Sequence, residues 1–283
     1  MKIKMENLSF SYDKKNRVLN NINLEFNTSE IVFILGSTGS GKSTLVSHIN
    51  GLLFSNEGQV ILNDGNKEYL INKKLKDIKN VRRTVGFVFQ HPENQLFEKT
   101  VLNDVMYGPL NFGATDEGAK EAAVQSLELM DVNELYYDKS PFRLSGGEKR
   151  KVAIAGVLSC KPQVFIFDEP TSNLDNKSTR DFFELVKDLK QKGNIVIVIS
   201  HNENLAYEYA DRIIVMAKGN ILFDGEYKDA FINKDILEEA RIDIPFVCKM
   251  KELLKIDDDS RTVKELANSL RGESVWIQYL ANM

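Results

Sequence analysis

A glycine-rich stretch near the N-terminus has the residue types and spacing of a phosphate-binding loop. It fits the pattern G-x-x-x-x-G-K-[ST] and comprises Gly36, Ser37, Thr38, Gly39, Ser40, Gly41, Lys42, Ser43 and Thr44. The apolar run 31–35 before this phosphate loop predicts a buried strand, and the spacing over 45–49 predicts a helix. In this context backbone N–H groups can surround phosphates, Lys42 can reach the β- and γ-phosphates, and the Ser43 hydroxyl can ligate Mg²⁺. The stretch therefore predicts a nucleoside triphosphate site.

An acidic pair follows a second apolar run. Residues 164–167 read as a buried strand, and Asp168 and Glu169 come directly after it. Asp168 could hold Mg²⁺ directly or through water, and Glu169 could orient or deprotonate an attacking water. Two acids after a strand could also merely cap the next turn. A phosphate loop alone leaves GTPases, kinases, helicases and transport ATPases open, and this pair narrows the choice.

A second candidate anion site precedes an apolar-striped helix. We name residues 144–148 (LSGGE) the signature segment, in which Ser145, Gly146 and Gly147 open a helix N-terminus with free N–H groups. Taken alone, an ordinary N-cap with a glycine turn explains these residues as well. This chain needs a second phosphate-binding site only if that site serves a second molecule.

Composition is that of an ordinary globular protein. Of 283 residues 42% are hydrophobic and 28% charged, and the net charge is −4. This balance does not indicate nucleic acid or an anionic membrane as a general partner. Cys160 and Cys248 lie far apart, which favours a reducing compartment over a disulfide framework or a zinc site. Without a signal-peptide core or an apolar run near the ~20 residues of a membrane span, we expect a soluble, cytoplasmic protein.

The order of the motifs along the chain is itself informative. The phosphate loop, Gln90, the signature segment, the acidic pair, the loop 172–175 (SNLD) and His201 follow one another. This order resembles the ATP-binding cassette (ABC) ATPase family over roughly residues 1–225. The resemblance implies an α/β P-loop NTPase fold: an ABC nucleotide-binding domain with a mainly parallel core sheet, an antiparallel β subdomain, a helical insertion at about 91–157 and a helical C-terminal extension, 226–283.

The same resemblance implies a head-to-tail dimer with two ATP molecules between the subunits. Ser145, Gly146 and Gly147 of one subunit would cap the γ-phosphate held by the phosphate loop of the other. The implied roles of four further residues are Mg²⁺ and water sensing for Gln90, the catalytic base for Glu169, γ-phosphate contact for His201 and catalysis for Lys42. The spacing of Tyr12 by itself favours a packing role over stacking on a purine base. Its match to the adenine-stacking aromatic of the family reverses that preference. The chain departs from the family's pattern at two positions. Glu148 stands where the family usually has Gln, and Asn173 lies in a loop that is Ser-Ala-Leu-Asp-like in the family.

Further stretches resemble the ATPase subunits of energy-coupling factor (ECF) transporters, the CbiO-like group. They are 91–101 (HPENQLFEKTV), 107–113 (YGPLNFG), 140–143 (SPFR) and 151–158 (KVAIAGVL). The first two suit the second of the two paralogous ATPases in such modules. This implies a heterodimer with a paralogous ATPase, a transmembrane coupling protein docking near 91–101, a small substrate-binding membrane protein, and a peripheral position on the cytoplasmic face of the cell membrane. The transported compound would be a vitamin or a metal ion.

Other functions stay open at this point. No guanine-reading N-K-x-D motif occurs, and a helicase needs a second domain for which the chain has no room. A soluble ABC ATPase acting on DNA or ribosomes, or a cassette of another importer, remains an alternative. In the insertion, Leu96, Phe97 and Val101 could grip a helix of the coupling protein or pack in the insertion's own core.

Overall fold

The computed structural model describes residues 1–13, 16–172 and 174–272. Asn173, the middle of the turn expected between the first two strands (14–15) and the last eleven residues of the expected extension (273–283) lie outside the described residues.

The described chain alternates strands with helices. The strands are β1 (Lys2–Ser11), β2 (Arg17–Asn27), β3 (Glu30–Leu35), β4 (Glu57–Asn63), β5 (Glu68–Leu70), β6 (Val85–Val88), β7 (Val164–Asp168), β8 (Ile195–Ile199), β9 (Arg212–Ala217) and β10 (Asn220–Glu226). The α-helices are α1 (Lys42–Ser47), α2 (Ile78–Thr84), α3 (Val101–Asn111), α4 (Asp116–Leu129), α5 (Gly146–Leu158), α6 (Asn176–Gln191), α7 (Glu203–Tyr209), α8 (Lys234–Ala240), α9 (Phe246–Leu254) and α10 (Val263–Gly272). Single 3₁₀ turns lie at 92–95, 134–136, 141–143 and 229–231.

These strands form two sheets. One has the order β10-β9-β3-β8-β7-β6 and is parallel except for β10, which pairs antiparallel with β9. The other is antiparallel, in the order β2-β1-β4-β5. The predicted fold class, an ABC nucleotide-binding domain with a mainly parallel core sheet and an antiparallel β subdomain, is confirmed.

Alternate residues of β3 show how the layers meet. Ile31, Phe33 and Leu35 point into a core shared with α6 and the C-terminal helices, whereas Val32 and Ile34 point into a core shared with α1 and the antiparallel sheet. Because both faces of the parallel sheet are covered, its strands are continuous apolar runs rather than alternating ones. This is why β3, β7 and β8 are recognisable from sequence.

The helical insertion has a separate small core. Leu96 and Val101 are buried in it together with side chains of α4 and α5. Of the three apolar residues for which the sequence left docking and core packing open, these two therefore pack inside the insertion, and only Phe97 is exposed, at 56%. Its ring meets Tyr107 edge-on at 4.8 Å.

The described part of the C-terminal extension is helical and packs on the parallel sheet. Leu237, Val247 and Leu266, one from each of its three helices, are buried in the same core as the residues of β3. The Arg261 guanidinium lies 3.5 Å from the Tyr227 ring centroid. The domain boundary at residue 225 stays a prediction. Within the described ranges, no helix is both long enough and apolar enough to span a membrane.

Candidate active site

Four loops with predicted site residues lie along one edge of the parallel sheet. β3, β8, β7 and β6 are consecutive neighbours and run in the same direction, so their carboxyl ends meet at that edge. The phosphate loop follows β3, His201 follows β8, Glu169 follows β7 and Gln90 follows β6. Open parallel sheets bind ligands at this edge. Residues separated by up to about 160 positions are thus brought together by strand order.

The phosphate loop depends on its glycines for backbone geometry. Gly36, Gly39 and Gly41 have φ of 146°, 82° and 106°, values that side-chain-bearing residues rarely adopt. A Cβ on Gly36 would lie 2.2 Å from the Met216 carbonyl oxygen. The Ser40 hydroxyl oxygen is buried without a hydrogen-bond partner, which is what a polar group awaiting a bound phosphate would show.

The helix after this loop is shorter than the sequence pattern predicts. The spacing over 45–49 predicts helix through Ile49, but α1 ends at Ser47. The amides of His48 and Ile49 donate to carbonyls three residues back, at 3.2 and 2.9 Å, so the last turn tightens into 3₁₀ geometry before Gly51 at φ 67°.

Lys42 is held by the loop itself. Its ammonium donates to the carbonyl oxygens of Gly36, at 2.6 Å, and Ser37, at 3.0 Å. Burial lowers the pKa of Lys42, while the negative charges of Glu169 and Asp168 act in the opposite direction. The cation is therefore pre-positioned where phosphate oxygens can replace its carbonyl partners.

Asp168 and Ser43 form the candidate metal position. Burial raises the pKa of Asp168, and a hydrogen bond with the Ser43 side chain and the charge of Lys42 oppose that rise. Among the described residues no group of three or more His, Cys, Asp or Glu side chains could by itself hold a metal. One carboxylate and one hydroxyl fit Mg²⁺, which commonly takes one or two protein oxygens and completes its octahedron with water and substrate phosphates.

Glu169 and His201 form a pair across adjacent strand ends. The His201 Nδ1 lies 2.6 Å from the Glu169 Oε1. Burial raises the pKa of the Glu169 carboxyl, and the hydrogen bond from His201 partly offsets this. Glu169 also has a left-handed backbone, with φ 49°, a conformation that costs free energy in a residue with a Cβ. Strain of this kind clusters at functional positions.

Tyr12 and Gln90 are accessible at the site. Tyr12 is 66% exposed, its ring meets Phe10 edge-on at 4.9 Å, and its hydroxyl lies 3.1 Å from the Thr44 hydroxyl. A ring this exposed is not a core residue, so the structure does not favour simple packing for Tyr12. Gln90 is exposed just beyond the end of β6.

The N-terminus of α5 is capped by two residues of the signature segment, Ser145 and Glu148. The Ser145 backbone N–H and hydroxyl both donate to the Glu148 carboxylate at 2.8 Å, and the Glu148 amide reaches the Ser145 oxygen at 3.4 Å. This reciprocal capping box starts α5. Apart from the backbone of α5 itself, a Cβ on Gly146 or Gly147 would meet no atom of the described residues within 4 Å. Among the hydrogen bonds of the described residues, none joins 145–147 to the phosphate loop of the same chain.

Arg150 is a residue that the sequence reasoning missed. It lies on α5 with only 7% of its surface exposed, and its guanidinium donates to the Ser172 and Glu169 carbonyl oxygens at 2.7 and 3.1 Å. A signal was present in the sequence: Arg150 is four residues before Ile154 and eight before Leu158, on the buried face of the helix.

Comparison with known proteins agrees with this geometry. The model of the ABC transporter family matches residues 19–172. The energy-coupling factor transporter ATP-binding protein EcfA2 of Bacillus subtilis is 40% identical, over 89% of this chain and 94% of the relative. Its counterpart in Clostridium perfringens is 43% identical, over 87% of each.

Solved structures lead to the same family. The cbiO1 protein of Clostridium perfringens, described as part of the ABC transporter complex cbiONQ, has a TM-score of 0.73 and 32% identity, covering 90% of this chain and 98% of that one. An ATP-binding cassette solved as a dimer with ADP and Pi has a TM-score of 0.71 and 29% identity, with 80% and 98% covered.

Fold and site together define an ATP-binding, ATP-hydrolysing cassette. The chain belongs to the ABC transporter family and, within it, to the ATP-binding proteins of energy-coupling factor transporters. The predictions of an ABC ATPase and of the ECF subtype are confirmed.

Proposed function

We propose that this chain hydrolyses ATP with Mg²⁺ in a head-to-tail dimer with a paralogous ATPase, with Glu169 as the catalytic base. The observation that carries the proposal is the pair formed by Glu169 and His201, 2.6 Å apart at the sheet edge that also carries the phosphate loop. Burial raises the pKa of this carboxyl, which makes it a stronger base than an exposed glutamate.

Each residue of the site has a part in the proposed reaction. The phosphate-loop amides and Lys42 hold the β- and γ-phosphates, and Tyr12 stacks on the adenine. Asp168, Ser43 and Gln90 would hold Mg²⁺, which when bound neutralises phosphate charge. Glu169 takes a proton from a water molecule while the oxygen of that water attacks the γ-phosphorus. The bond from the γ-phosphorus to the β,γ-bridging oxygen breaks, which leaves ADP and phosphate. His201 orients Glu169 and contacts the γ-phosphate.

The second subunit completes the site. Gly146 and Gly147 are exposed at the start of α5 with open space above them. Their N–H groups are donors suited to a γ-phosphate that approaches from outside the chain. The Ser145 hydroxyl would join them once it leaves the Glu148 carboxylate, to which it donates here. In the proposed dimer that phosphate is the one held by the paralogous subunit. The dimeric cassette with ADP and Pi, as a structural neighbour, supports this arrangement.

The remaining partners are proposed from the family. A transmembrane coupling protein would dock near 91–101, where Phe97 and Tyr107 form an exposed aromatic pair. A small membrane protein would bind the vitamin or metal ion that is taken up, and the ATPases would sit peripherally on the cytoplasmic face of the membrane. The transporter names of the relatives favour this importer over a soluble ATPase acting on DNA or ribosomes.

Replacing the proposed base tests the catalytic part. Glu169→Gln keeps the shape of the side chain but cannot take a proton. In a dimer whose paralogous subunit cannot hydrolyse its own ATP, we therefore expect kcat for ATP hydrolysis to fall by about 10²- to 10⁴-fold with the Kd for ATP unchanged. Steady-state phosphate release and a nucleotide-binding titration on the ATPase dimer measure both. Glu184→Gln, on the surface of α6, is the control. A variant Glu169→Gln that hydrolyses ATP as fast as the parent shows that the base is misassigned.

Affinity isolation of the tagged chain from detergent-solubilised membranes tests the partners. We expect a second cassette protein, one larger membrane protein and one small one, identified by mass spectrometry. Recovery of ribosomes or nucleic acid with no membrane protein would overturn the transporter arrangement and leave the ATPase chemistry intact.

A further inference from the structure

Arg150 is a buried charge whose hydrogen bonds go to one loop. Its Nη1 donates to the Ser172 carbonyl at 2.7 Å and its Nη2 to the Glu169 carbonyl at 3.1 Å. A guanidinium presents a rigid fork of donors, so two carbonyls bound at once fix the relative position of the residues that carry them. Burying a cation is costly unless it is hydrogen-bonded or balanced by charge, which indicates that this arrangement is specific.

The Glu169 carbonyl is the centre of this small network. It accepts hydrogen bonds from the Arg150 guanidinium, from the Ser172 amide at 3.3 Å and from the Ser172 hydroxyl at 3.0 Å. The same residue has the strained backbone with φ 49°. A strained conformation persists only where its surroundings hold it, and Arg150 supplies the charged part of that support.

A nearby carboxylate partly offsets the cost of burying the charge of Arg150. Burial lowers the pKa of Arg150, and the negative charge of Glu93 raises it. One Glu93 carboxylate oxygen and the Arg150 Nε are both buried without hydrogen-bond partners. The Arg150 side chain therefore links α5, to which it belongs, with the segment after Gln90 and with the loop that carries the proposed base.

We propose that Arg150 is a positioning residue for ATP hydrolysis, which holds the Glu169 backbone so that the carboxylate faces the γ-phosphate. The proposal rests on Glu169 being the base. Because Arg150 is part of α5, the helix that caps the paralogous subunit's ATP also holds the base for this chain's own ATP. The guanidinium contacts no substrate, so its effect reaches the reaction only through Glu169.

Kinetics of matched variants test this role. Arg150→Met keeps the length of the side chain and removes every donor. In an ATPase dimer whose paralogous subunit cannot hydrolyse its own ATP, we expect kcat to fall by about 10- to 100-fold with KM for ATP within about twofold of the parent. Arg150→Lys keeps the charge but replaces the rigid planar fork of donors with a flexible ammonium, so it recovers only part of the loss. Lys151→Met, the next residue on α5, whose ammonium lies at the surface near Asp131, is the control and keeps the parent rate.

A double-mutant cycle and hydrogen exchange separate positioning from a merely structural role. In a Glu169→Gln background, Arg150→Met adds no further loss to the single-turnover rate if it acts through Glu169. The Ser172 amide, bonded to the Glu169 carbonyl, exchanges at least about tenfold faster in Arg150→Met and unchanged in Lys151→Met.

The outcomes distinguish this proposal from the assignment of the base. A folded Arg150→Met with parent kcat, or a loss that persists in full in the Glu169→Gln background, overturns the positioning role while Glu169 stays the base. A Glu169→Gln variant with parent activity overturns the base itself. Should Arg150→Met fail to fold, Arg150→Lys decides: parent kcat in that variant also overturns the proposal.

Discussion

The phosphate loop and the signature segment are both glycine-rich candidate anion sites, yet the chain surrounds them very differently. In the phosphate loop a Cβ on Gly36 would strike the Met216 carbonyl, and Lys42 is already bonded to loop carbonyls. In the signature segment Gly146 and Gly147 have ordinary backbone angles and open space around them. Packing within the chain requires Gly36, and positive φ angles favour glycine at all three positions of the phosphate loop.

This difference indicates which of the two candidate sites is formed by one chain and which depends on a second subunit in the proposed dimer. The phosphate loop is shaped entirely by residues of one chain. The Ser145 amide and hydroxyl are capped by Glu148, and outside the helix's own backbone no described atom lies within 4 Å of a Cβ placed on either glycine. Open space at this helix N-terminus is what the proposed interface with a second subunit requires.

Gly36→Ala gives the largest expected effect on stability. The new Cβ would lie 2.2 Å from a backbone oxygen at φ 146°, so we expect a loss on the order of 3 kcal/mol in the free energy of unfolding and no ATP binding. Thermal unfolding of the isolated chain, with a nucleotide titration, measures this. An unfolding temperature equal to that of the parent would break the comparison on the phosphate-loop side.

Gly147→Ala separates the two sites. Since its Cβ meets no atom of the chain within 4 Å, the unfolding temperature should stay within about 1 °C of the parent. In the ATPase dimer the added methyl group would crowd the opposing phosphate, and we expect a fall in kcat of roughly tenfold or more. Parent activity in the dimer would show that no second molecule enters this space.

Glu148→Gln has the smallest expected effect and sharpens the comparison. Hydrogen bonds from Ser145 lower the pKa of the Glu148 carboxyl, so it carries a negative charge at neutral pH beside the proposed γ-phosphate position. Glutamine preserves the capping box and removes the charge, so stability changes by less than about 0.5 kcal/mol while ATPase activity of the dimer rises about two- to fivefold. The gain should shrink at high salt; a gain that is independent of salt contradicts the electrostatic reason.

Much of the fold could be predicted because the parallel strands are buried on both faces. Runs such as 164–167 and 195–199 need no knowledge of their neighbours to be read as strands. The packing of the helical insertion is harder to predict from the sequence. Leu96 and Val101 were expected as possible docking residues, but burial depends on which helices pack over them, and α4 and α5 cover both.

The sequence by itself determined the phosphate loop, the acidic pair and the signature segment, since each is a local pattern of backbone-directing glycines and donor side chains. Only the tertiary structure decided which of them meet. The bond between His201 and Glu169 spans 32 positions, and Arg150 reaches Glu169 across 19. Such contacts follow from strand order and helix packing, because a hydrogen bond depends on distance in space and residue spacing along the chain does not contain that distance.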